Sequence, residues 1–205
     1  PYIASSVTIS RIEVWVTNKR GNYDQSRNIV ALADLGEWNA AHILNASWTP
    51  TESARNPYNK ANSLYETLIQ NHPNVRDIQQ VSSVMQDISN MELGEAYEKV
   101  ESARLLNSGE YTLNAALGYI SLKTALNQDE VLAVAYEYTY AGQVYQVGEF
   151  STDASETLKA PNALVLKLLK STNNAPSQKG KGTWDLMMKN IYSLGASQMS
   201  SDKFE

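Results

Sequence analysis

The sequence predicts an α+β domain in which mainly antiparallel sheet carries a helical hairpin inserted over about residues 56–90. Three observations predict it. Residues 7–17 alternate between apolar and polar side chains, residues 61–88 repeat at helical spacing, and alternation returns from about residue 97. Strands followed by helices and then by further strands are typical of an α+β architecture. The 205 residues suffice for one such domain with a substantial core.

The first part of the chain predicts two strands. Ile12, Val14 and Val16 fall on one face of residues 7–17, which is the period-two pattern of a half-buried strand. Residues 28–35 are almost entirely apolar, as in a strand covered on both faces. Residues 38–59 show no clear period, so we expect irregular or partly helical structure there.

A helical hairpin is predicted after Asn56-Pro57, because Asn caps helices well and Pro is tolerated at the first helical position. His72-Pro73 ends the first helix, since the residue before a proline avoids the α region. Asn74 is suited to cap the second. The apolar stripes of the two helices are Ala61, Leu64, Tyr65 and Leu68, then Ile78, Val81, Met85 and Ile88.

The rest of the chain predicts more strands, at 111–113 and 119–122, and a hairpin that joins 132–140 to 144–150. Because alanine tolerates a positive φ poorly, Ala141-Gly142 predicts a bulged or longer turn with Gly142 in the left-handed position, and not a tight type I′ pair. Residues 163–169 fit either a strand or a short helix. A mobile loop is predicted over about 171–182, and a short helix runs from Thr183 to Tyr192.

Composition excludes several classes of protein. The net charge of −5 argues against a nucleic-acid binder, which would carry a basic stripe. No apolar run approaches the roughly 20 residues of a membrane-spanning helix. The chain has no cysteine, which excludes disulfides, thiolate metal sites and cysteine nucleophiles. Tyrosine is abundant (12) and phenylalanine scarce (2), which favours half-buried strands.

The residues that carry chemistry form no recognisable catalytic pattern. His42 and His72 are the two histidines, and one histidine alone supports few mechanisms. No Gly-x-Ser-x-Gly elbow and no phosphate-binding loop occur. Glutamates recur at every third position (Glu92, Glu95, Glu98 and Glu101), and on a helix they favour a solvated face over a cation cage. We therefore predict no enzyme, with no catalytic, cofactor-binding or metal-binding residues.

The four tryptophans are the best candidates for contact residues. Trp15 and Trp184 are predicted to fill the core or to cover the sheet. Trp38 and Trp48 lie in the irregular stretch, and we predict them as partner-binding residues, since exposed tryptophans anchor protein partners or stack on sugars. The row of Tyr136, Tyr138 and Tyr140 is predicted to pack against a neighbouring strand. A carbohydrate-binding or adhesion module, β-rich and built on such aromatic platforms, is the alternative function.

Five segments carry a family resemblance, and they span nearly the whole chain. They are RIEVWVTN with RNIVALADLGE (Arg11–Asn18 and Arg27–Glu37), ARLL with EYTLN (Ala103–Leu106 and Glu110–Asn114), LGYISL (Leu117–Leu122), Asp129–Thr139 with Val147–Ser151, and TWDLMMKNIYSLG (Thr183–Gly195). In this order they resemble segments of the SprA/Sov family, the very large outer-membrane proteins of gliding motility and type IX secretion in Bacteroidetes. Residues 39–91 and 171–182 resemble that family least.

The resemblance implies a non-enzymatic structural or docking domain, inserted between strands of the giant outer-membrane barrel that conducts exported proteins. Its partners would be other subunits of the translocon and secreted cargo proteins, with no nucleic acid and with membrane contact only through the parent barrel. The domain would be water-exposed, on the extracellular side in preference to the periplasmic side. Because Pro1 replaces an initiator Met, we expect residues 1–205 to be a single-domain fragment of a longer protein.

Overall fold

The computed structural model describes residues 6–21, 23–37, 56–153, 155–173 and 182–192. Within these ranges the chain forms eight strands and three short α-helices. They are β1 (Thr8–Val16), β2 (Ser26–Leu32), α1 (Leu64–Asn71), α2 (Val81–Gln86), β3 (Tyr97–Leu105), β4 (Tyr111–Asn114), β5 (Tyr119–Leu122), β6 (Leu132–Tyr140), β7 (Gln143–Val147), β8 (Leu164–Lys170) and α3 (Gly182–Lys189).

Five strands close into a barrel in the order β1-β3-β2-β8-β6, with β6 returning to β1. β1 lies antiparallel to β6 along nearly its whole length. β2 pairs antiparallel with β3 and parallel with β8. The seam between β1 and β3 is short and joins Trp15 to Leu105 and Val16 to Arg104. β6 pairs with β8 through Leu132–Val134 and with β7 through its second half, Tyr136–Tyr140.

Alternation along the strands fills the barrel. Trp15 is 1% exposed and lies opposite Ala133 of β6, so a large ring packs against small side chains. This pairing of large with small residues is what the interior of a narrow barrel requires. The same cluster contains Ile29, Ala31, Ala103, Ala135, Leu164, Leu166 and Leu168.

The prediction of an α+β domain with a helical hairpin insertion is wrong, since the fold is mostly β and centred on a five-stranded barrel. Its closure depends on the pairing of β1 with β6, from opposite halves of the chain. Local periodicity shows that a segment is a strand but does not show which distant strand it meets. The apolar run of residues 28–35 indicated β2 correctly, because its two faces meet the barrel interior and an outer layer.

α1 and α2 form the outer layer that covers β2 and β8, and they do not form a hairpin. α1 has eight residues and α2 has six, and a 3-10 turn, Pro73–Arg76, separates them. Leu64, Leu68, Val81 and Met85, which belong to the predicted apolar stripes, are buried over the outer faces of β2 and β8. With so few turns, their stability depends on this packing more than on helix propensity.

A second layer covers the opposite side of the barrel. β4 and β5 pair only with each other among the described strands, as a small antiparallel sheet. Ile120 and Leu122 of β5 pack on Val14 and Val134, which point outward from β1 and β6. The outward row of β1 is therefore buried as well as the inward row.

The backbone decides two predictions: the type of turn between β6 and β7, and the structure of residues 163–169. Tyr140 pairs with Gln143, and Ala141 and Gly142 have φ of 50° and 78°. The left-handed position of Gly142 is confirmed, but the turn has two residues and Ala141 is left-handed as well, so the predicted bulged or longer turn is wrong. The twist of the flanking strands matches a type I′ turn and offsets the roughly 1–2 kcal/mol that the left-handed region costs alanine. Residues 163–169, left open between strand and helix, form β8.

Candidate contact region

The predicted partner-binding residues Trp38 and Trp48 lie outside the described residues. Trp15 lies in the barrel interior, as predicted, and its indole N–H donates to Oε2 of Glu13 at 3.2 Å. Trp184 belongs to the backbone of α3, and its side chain lies outside the described part of the chain. Trp15 is therefore the one tryptophan whose side chain lies within the described part of the chain.

Neither histidine is placed in a site. His42 lies outside the described residues, as does much of the predicted 171–182 loop. His72 follows α1, and its backbone N–H donates to the carbonyl of Leu68 at 3.1 Å. Within the described ranges, no group of three or more His, Asp or Glu side chains is arranged to hold a metal ion.

The regularly spaced glutamates do not form a helical face. Glu98 and Glu101 belong to β3, and Glu98 is buried. Its Oε1 accepts hydrogen bonds from Ser171 Oγ at 2.7 Å and from the N–H of Thr172 at 2.8 Å. Glu98 thereby fixes the chain directly after β8. The condition of that interpretation, a helix, does not hold at Glu98 and Glu101: alternation along β3 turns Glu98 inward and leaves Glu101 exposed.

A buried carboxylate, Glu149, links the helical layer to the barrel. Glu149 forms two contacts with the Arg76 guanidinium, at 2.9 and 2.6 Å, and accepts the Val165 N–H at 2.7 Å. The Tyr65 hydroxyl donates to the same carboxylate at 2.5 Å. Burial and then the Glu149 charge raise the pKa of Tyr65, so the phenol stays protonated as a donor. Burial disfavours charge on Arg76, but the contacts with Glu149 outweigh it and raise the pKa of Arg76.

A second buried ion pair fixes the loop after β2. Lys167 Nζ lies 2.5 Å from Oε1 of Glu37 and also donates to the carbonyl of Ala33. Gly36 has a φ of +81°, and a Cβ there would lie 2.4 Å from Oδ1 of Asn62. The ADLGE motif is therefore a tightly packed loop in which Lys167 neutralises the Glu37 carboxylate.

The tyrosine row packs against a neighbouring strand, as predicted. The Tyr138 and Tyr145 rings stack with centroids 5.2 Å apart, and Tyr58 meets Tyr145 edge-on at 5.6 Å. Burial is the main reason that the pKa of Tyr138 is raised, and its hydroxyl donates to the carbonyl of Pro57 at 2.6 Å. Tyr138 therefore belongs to the folded body, whereas Tyr140, at the end of the row, is exposed.

Four of the eight exposed large apolar side chains among the described residues lie at one end of the barrel. Leu117 (45% exposed) and Tyr119 (43%) lie at the tip of the β4–β5 hairpin, while Tyr140 (36%) and Val144 (63%) lie at the tip of the β6–β7 hairpin. Both tips flank the start of β1, because the Ile9 N–H donates to the carbonyl of Ala115 at 3.2 Å and Thr8 pairs with Thr139. We call Leu117, Tyr119, Tyr140 and Val144 the hairpin-tip region.

This region could have been found in the sequence, although our sequence reasoning missed it. Residues 111–122 and 138–148 contain no Asp, Glu, Lys or Arg, in a chain with 39 such residues (17 + 22). A charge-depleted, tyrosine-rich exposed surface has the composition of the core of a protein interface. The two uncharged runs are distant in sequence, and only the fold brings them to the same end.

Comparisons with known proteins give no family. No protein-family model matches the chain, and no curated protein is significantly similar to it. Among the described helices, none has the length and the hydrophobicity that crossing a membrane requires.

Proposed function

We propose that this chain is a non-catalytic docking domain of a type IX secretion translocon in the outer membrane, acting in protein export and gliding motility. The SprA/Sov-like segments are one support for this proposal. The single structural observation behind it is the hairpin-tip region, an uncharged apolar end on a tightly connected barrel.

The arrangement of buried charge supports a scaffold. Arg76 with Glu149, and Lys167 with Glu37, neutralise each other and connect loops and helices to the strands. Breaking such a buried pair leaves an uncompensated charge, which strongly disfavours open conformations of these loops. A rigid body of this kind holds its exposed tips in fixed positions.

The hairpin-tip region supports docking of a protein. Tyrosine is enriched in binding hot spots, because its ring offers apolar area and its hydroxyl a hydrogen bond. The partners that we propose are other subunits of the translocon and exported proteins, on the extracellular side of the membrane.

Site-specific photo-crosslinking in the parent protein tests the proposal. Benzoylphenylalanine is placed at Tyr119 or Tyr140, and at Tyr23 as a control, because Tyr23 is 65% exposed but lies away from the tips. Adducts with translocon subunits or exported proteins at Tyr119 and Tyr140, and none at Tyr23, are expected. Equal adducts at all three positions, or none at any, would contradict the proposal.

The carbohydrate-binding alternative has its own test. A glycan array with the isolated chain measures sugar binding directly. Binding that is lost in Trp38→Ala or Trp48→Ala would replace the docking proposal with an adhesion module.

A further inference from the structure

The small sheet formed by β4 and β5 has an open edge along β5. The two strands pair in an unbroken register, from Tyr111 opposite Leu122 to Asn114 opposite Tyr119. Among the described strands, none pairs with the far side of β5. The backbone N–H and C=O groups on such an edge are available to another strand.

Hydrogen bonding across the β4–β5 hairpin shows which backbone groups of β5 point outward. The Lys123 N–H donates to the carbonyl of Glu110 at 2.9 Å, so these residues form a hydrogen-bonded pair just beyond the two strands. Hydrogen-bonded and non-hydrogen-bonded pairs alternate along an antiparallel sheet. The N–H and C=O groups of Ser121 therefore bind β4, whereas those of Ile120 and Leu122 point away from β4. Within the described ranges, these outward groups have no other partner.

The β5 edge is more accessible than the edge of β4. The carbonyl of Ala115, directly after β4, accepts the Ile9 N–H at 3.2 Å, so the start of β1 contacts the end of β4. In the described part of the chain, no backbone hydrogen bond from another element reaches β5. Tyr119 and Ser121 are exposed, while the side chains of β5 that point inward pack on the barrel. This packing orders the edge before a partner arrives, which lowers the cost of binding.

The sequence around β5 lacks most of the features that protect an edge strand. Natural proteins prevent edge-to-edge pairing with charged side chains, proline, bulges or short strands. Residues 111–122 contain no charged residue and no proline, and the register with β4 has no bulge. β5 is short, with four residues, so a segment that pairs with it is short as well. This composition favours an edge that binds another strand.

We propose that the β5 edge binds a short, extended and uncharged segment of a partner protein as an added strand. The inference rests on the proposed docking function and assigns its mode of binding, since Tyr119 belongs both to the hairpin-tip region and to this edge. An added strand meets the outward N–H and C=O groups of Ile120 and Leu122 with its own backbone.

The two faces of β5 specify the side chains of the bound segment. Residues directly opposite each other on neighbouring strands lie on the same face of a sheet. The residues of the segment opposite Ile120 and Leu122 are therefore apolar, because these two side chains lie in the apolar cluster over β1 and β6. The residues between them lie beside the exposed Tyr119 and Ser121, and they are small, polar and uncharged.

Titration of the folded chain with a short peptide, followed by amide NMR spectra and hydrogen exchange, tests this edge. The probe is acetyl-Thr-Val-Thr-Val-Thr-amide. Its matched control carries N-methyl groups on both valines, which keeps the side chains and removes the donors that face Ile120 and Leu122. The unmethylated peptide is expected to bind about tenfold or more tightly than the control. It should slow hydrogen exchange at Ile120 and Leu122 and leave the outward amides of β4, Tyr111 and Leu113, unchanged.

Three variants connect the binding to β5. Ser121→Lys places a charge beside the added strand and should lower peptide affinity severalfold. Thr112→Lys is the matched control, because Thr112 is exposed and lies directly opposite Ser121 on the other strand, and it should leave the affinity unchanged. Ile120→Pro removes an outward N–H and should abolish binding.

Four results would overturn the proposal: equal binding of the two peptides or none by either, slowed exchange at Tyr111 and Leu113 in place of β5, an unaffected Ser121→Lys, or a dimer joined through β5 in sedimentation without peptide. A dimer of this kind would make a second copy of the chain the occupant of the edge. Each result leaves the crosslinking at the hairpin tips to be decided separately, so strand addition and the docking function can fail independently.

Discussion

The helix-covered side of the barrel and the hairpin-tip region use similar residues in opposite ways. On the helical side, Tyr65 is half-buried, and its hydroxyl donates to the ion pair of Arg76 and Glu149. At the tips, Tyr119 and Tyr140 are exposed and belong to the uncharged runs 111–122 and 138–148. On the helix-covered side, the buried polar groups bind one another. In the hairpin-tip region, the apolar side chains are exposed to solvent.

The difference teaches where stability and recognition are located in this molecule. Buried charges are tolerated when each has a partner, and they make a region sensitive to any single substitution. Exposed tyrosines contribute little to folding and remain available to a partner. Substitutions on the two sides should therefore separate loss of folding from loss of docking.

Removal of Arg76 is expected to have the largest effect. Arg76→Met leaves the buried Glu149 carboxylate without its cation, which should cost about 3–5 kcal/mol in the free energy of unfolding. Urea unfolding measures the change. The control is Lys159→Met, which removes a partner of Glu156 in an exposed pair and should cost less than about 1 kcal/mol. Similar losses of unfolding free energy in the two variants would contradict a stabilising ion pair between Arg76 and Glu149.

The loop after β2 is expected to be the next most sensitive position. Gly36→Ala places a Cβ 2.4 Å from Oδ1 of Asn62 and 2.8 Å from Cβ of Leu64, at a φ of +81°. Crowding and backbone strain together should cost about 2–4 kcal/mol. Gly21→Ala is the matched control, because its φ is +65° but no atom lies within 4 Å, so about 1 kcal/mol is expected from the backbone alone. Equal effects on thermal unfolding would show that the loop can shift to make room.

The ion pair between Arg104 of β3 and Glu110, directly before β4, should stabilise the fold in a pH-dependent way; Arg104 Nη1 donates to the two Glu110 oxygens at 2.9 and 2.7 Å. The Arg104 hydrogen bond is the main reason that the pKa of Glu110 lies below its ordinary value of 4.5. A carboxyl with a lowered pKa in the folded state stabilises the fold above its unfolded pKa, and this stabilisation is lost as pH falls through the folded pKa. The difference in free energy of unfolding between the unsubstituted chain and Glu110→Gln should therefore be largest above pH 4.5 and should decrease as the pH falls below that value. A difference that stays constant from neutral pH into acid would contradict this pairing.

The smallest effect on folding is expected at the hairpin tips. Leu117→Ser and Tyr119→Ser should each change the free energy of unfolding by no more than about 0.5 kcal/mol, since both side chains are exposed. Crosslinking from Tyr140 to partner proteins should nevertheless fall in both. Tyr23→Ser serves as the exposed control and should preserve the adducts. Intact crosslinking in all three variants would contradict a contribution of Leu117 and Tyr119 to docking.

Several elements were predictable because their evidence is local. The alternation of Ile12, Val14 and Val16 identified β1, and the apolar run at 28–35 identified β2. The burial of Trp15 and the packing of Tyr138 were also expected. The turn at Ala141-Gly142 was predicted wrongly, because the residue preference of the turn was outweighed by the twist of the two strands that it joins.

The candidate regions were harder to predict, because each combines segments that are far apart in the chain. The hairpin-tip region unites residues around 117 and 140, and the buried ion pair unites Arg76 and Glu149. No spacing rule connects these positions. The predicted contact residues, Trp38 and Trp48, remain a prediction, since they lie outside the described residues.

The sequence by itself indicated strands such as β1 and β2, the apolar faces that must be buried, and the runs that carry no charge, because these properties depend on neighbours a few residues away. Tertiary structure alone decided that residues 164–170 form a strand, that the sheet closes into a barrel, that Glu149 meets Arg76, and that two uncharged runs share one end. Pairing between distant strands is selected by the packing of the whole core, and that selection has no local counterpart in the sequence.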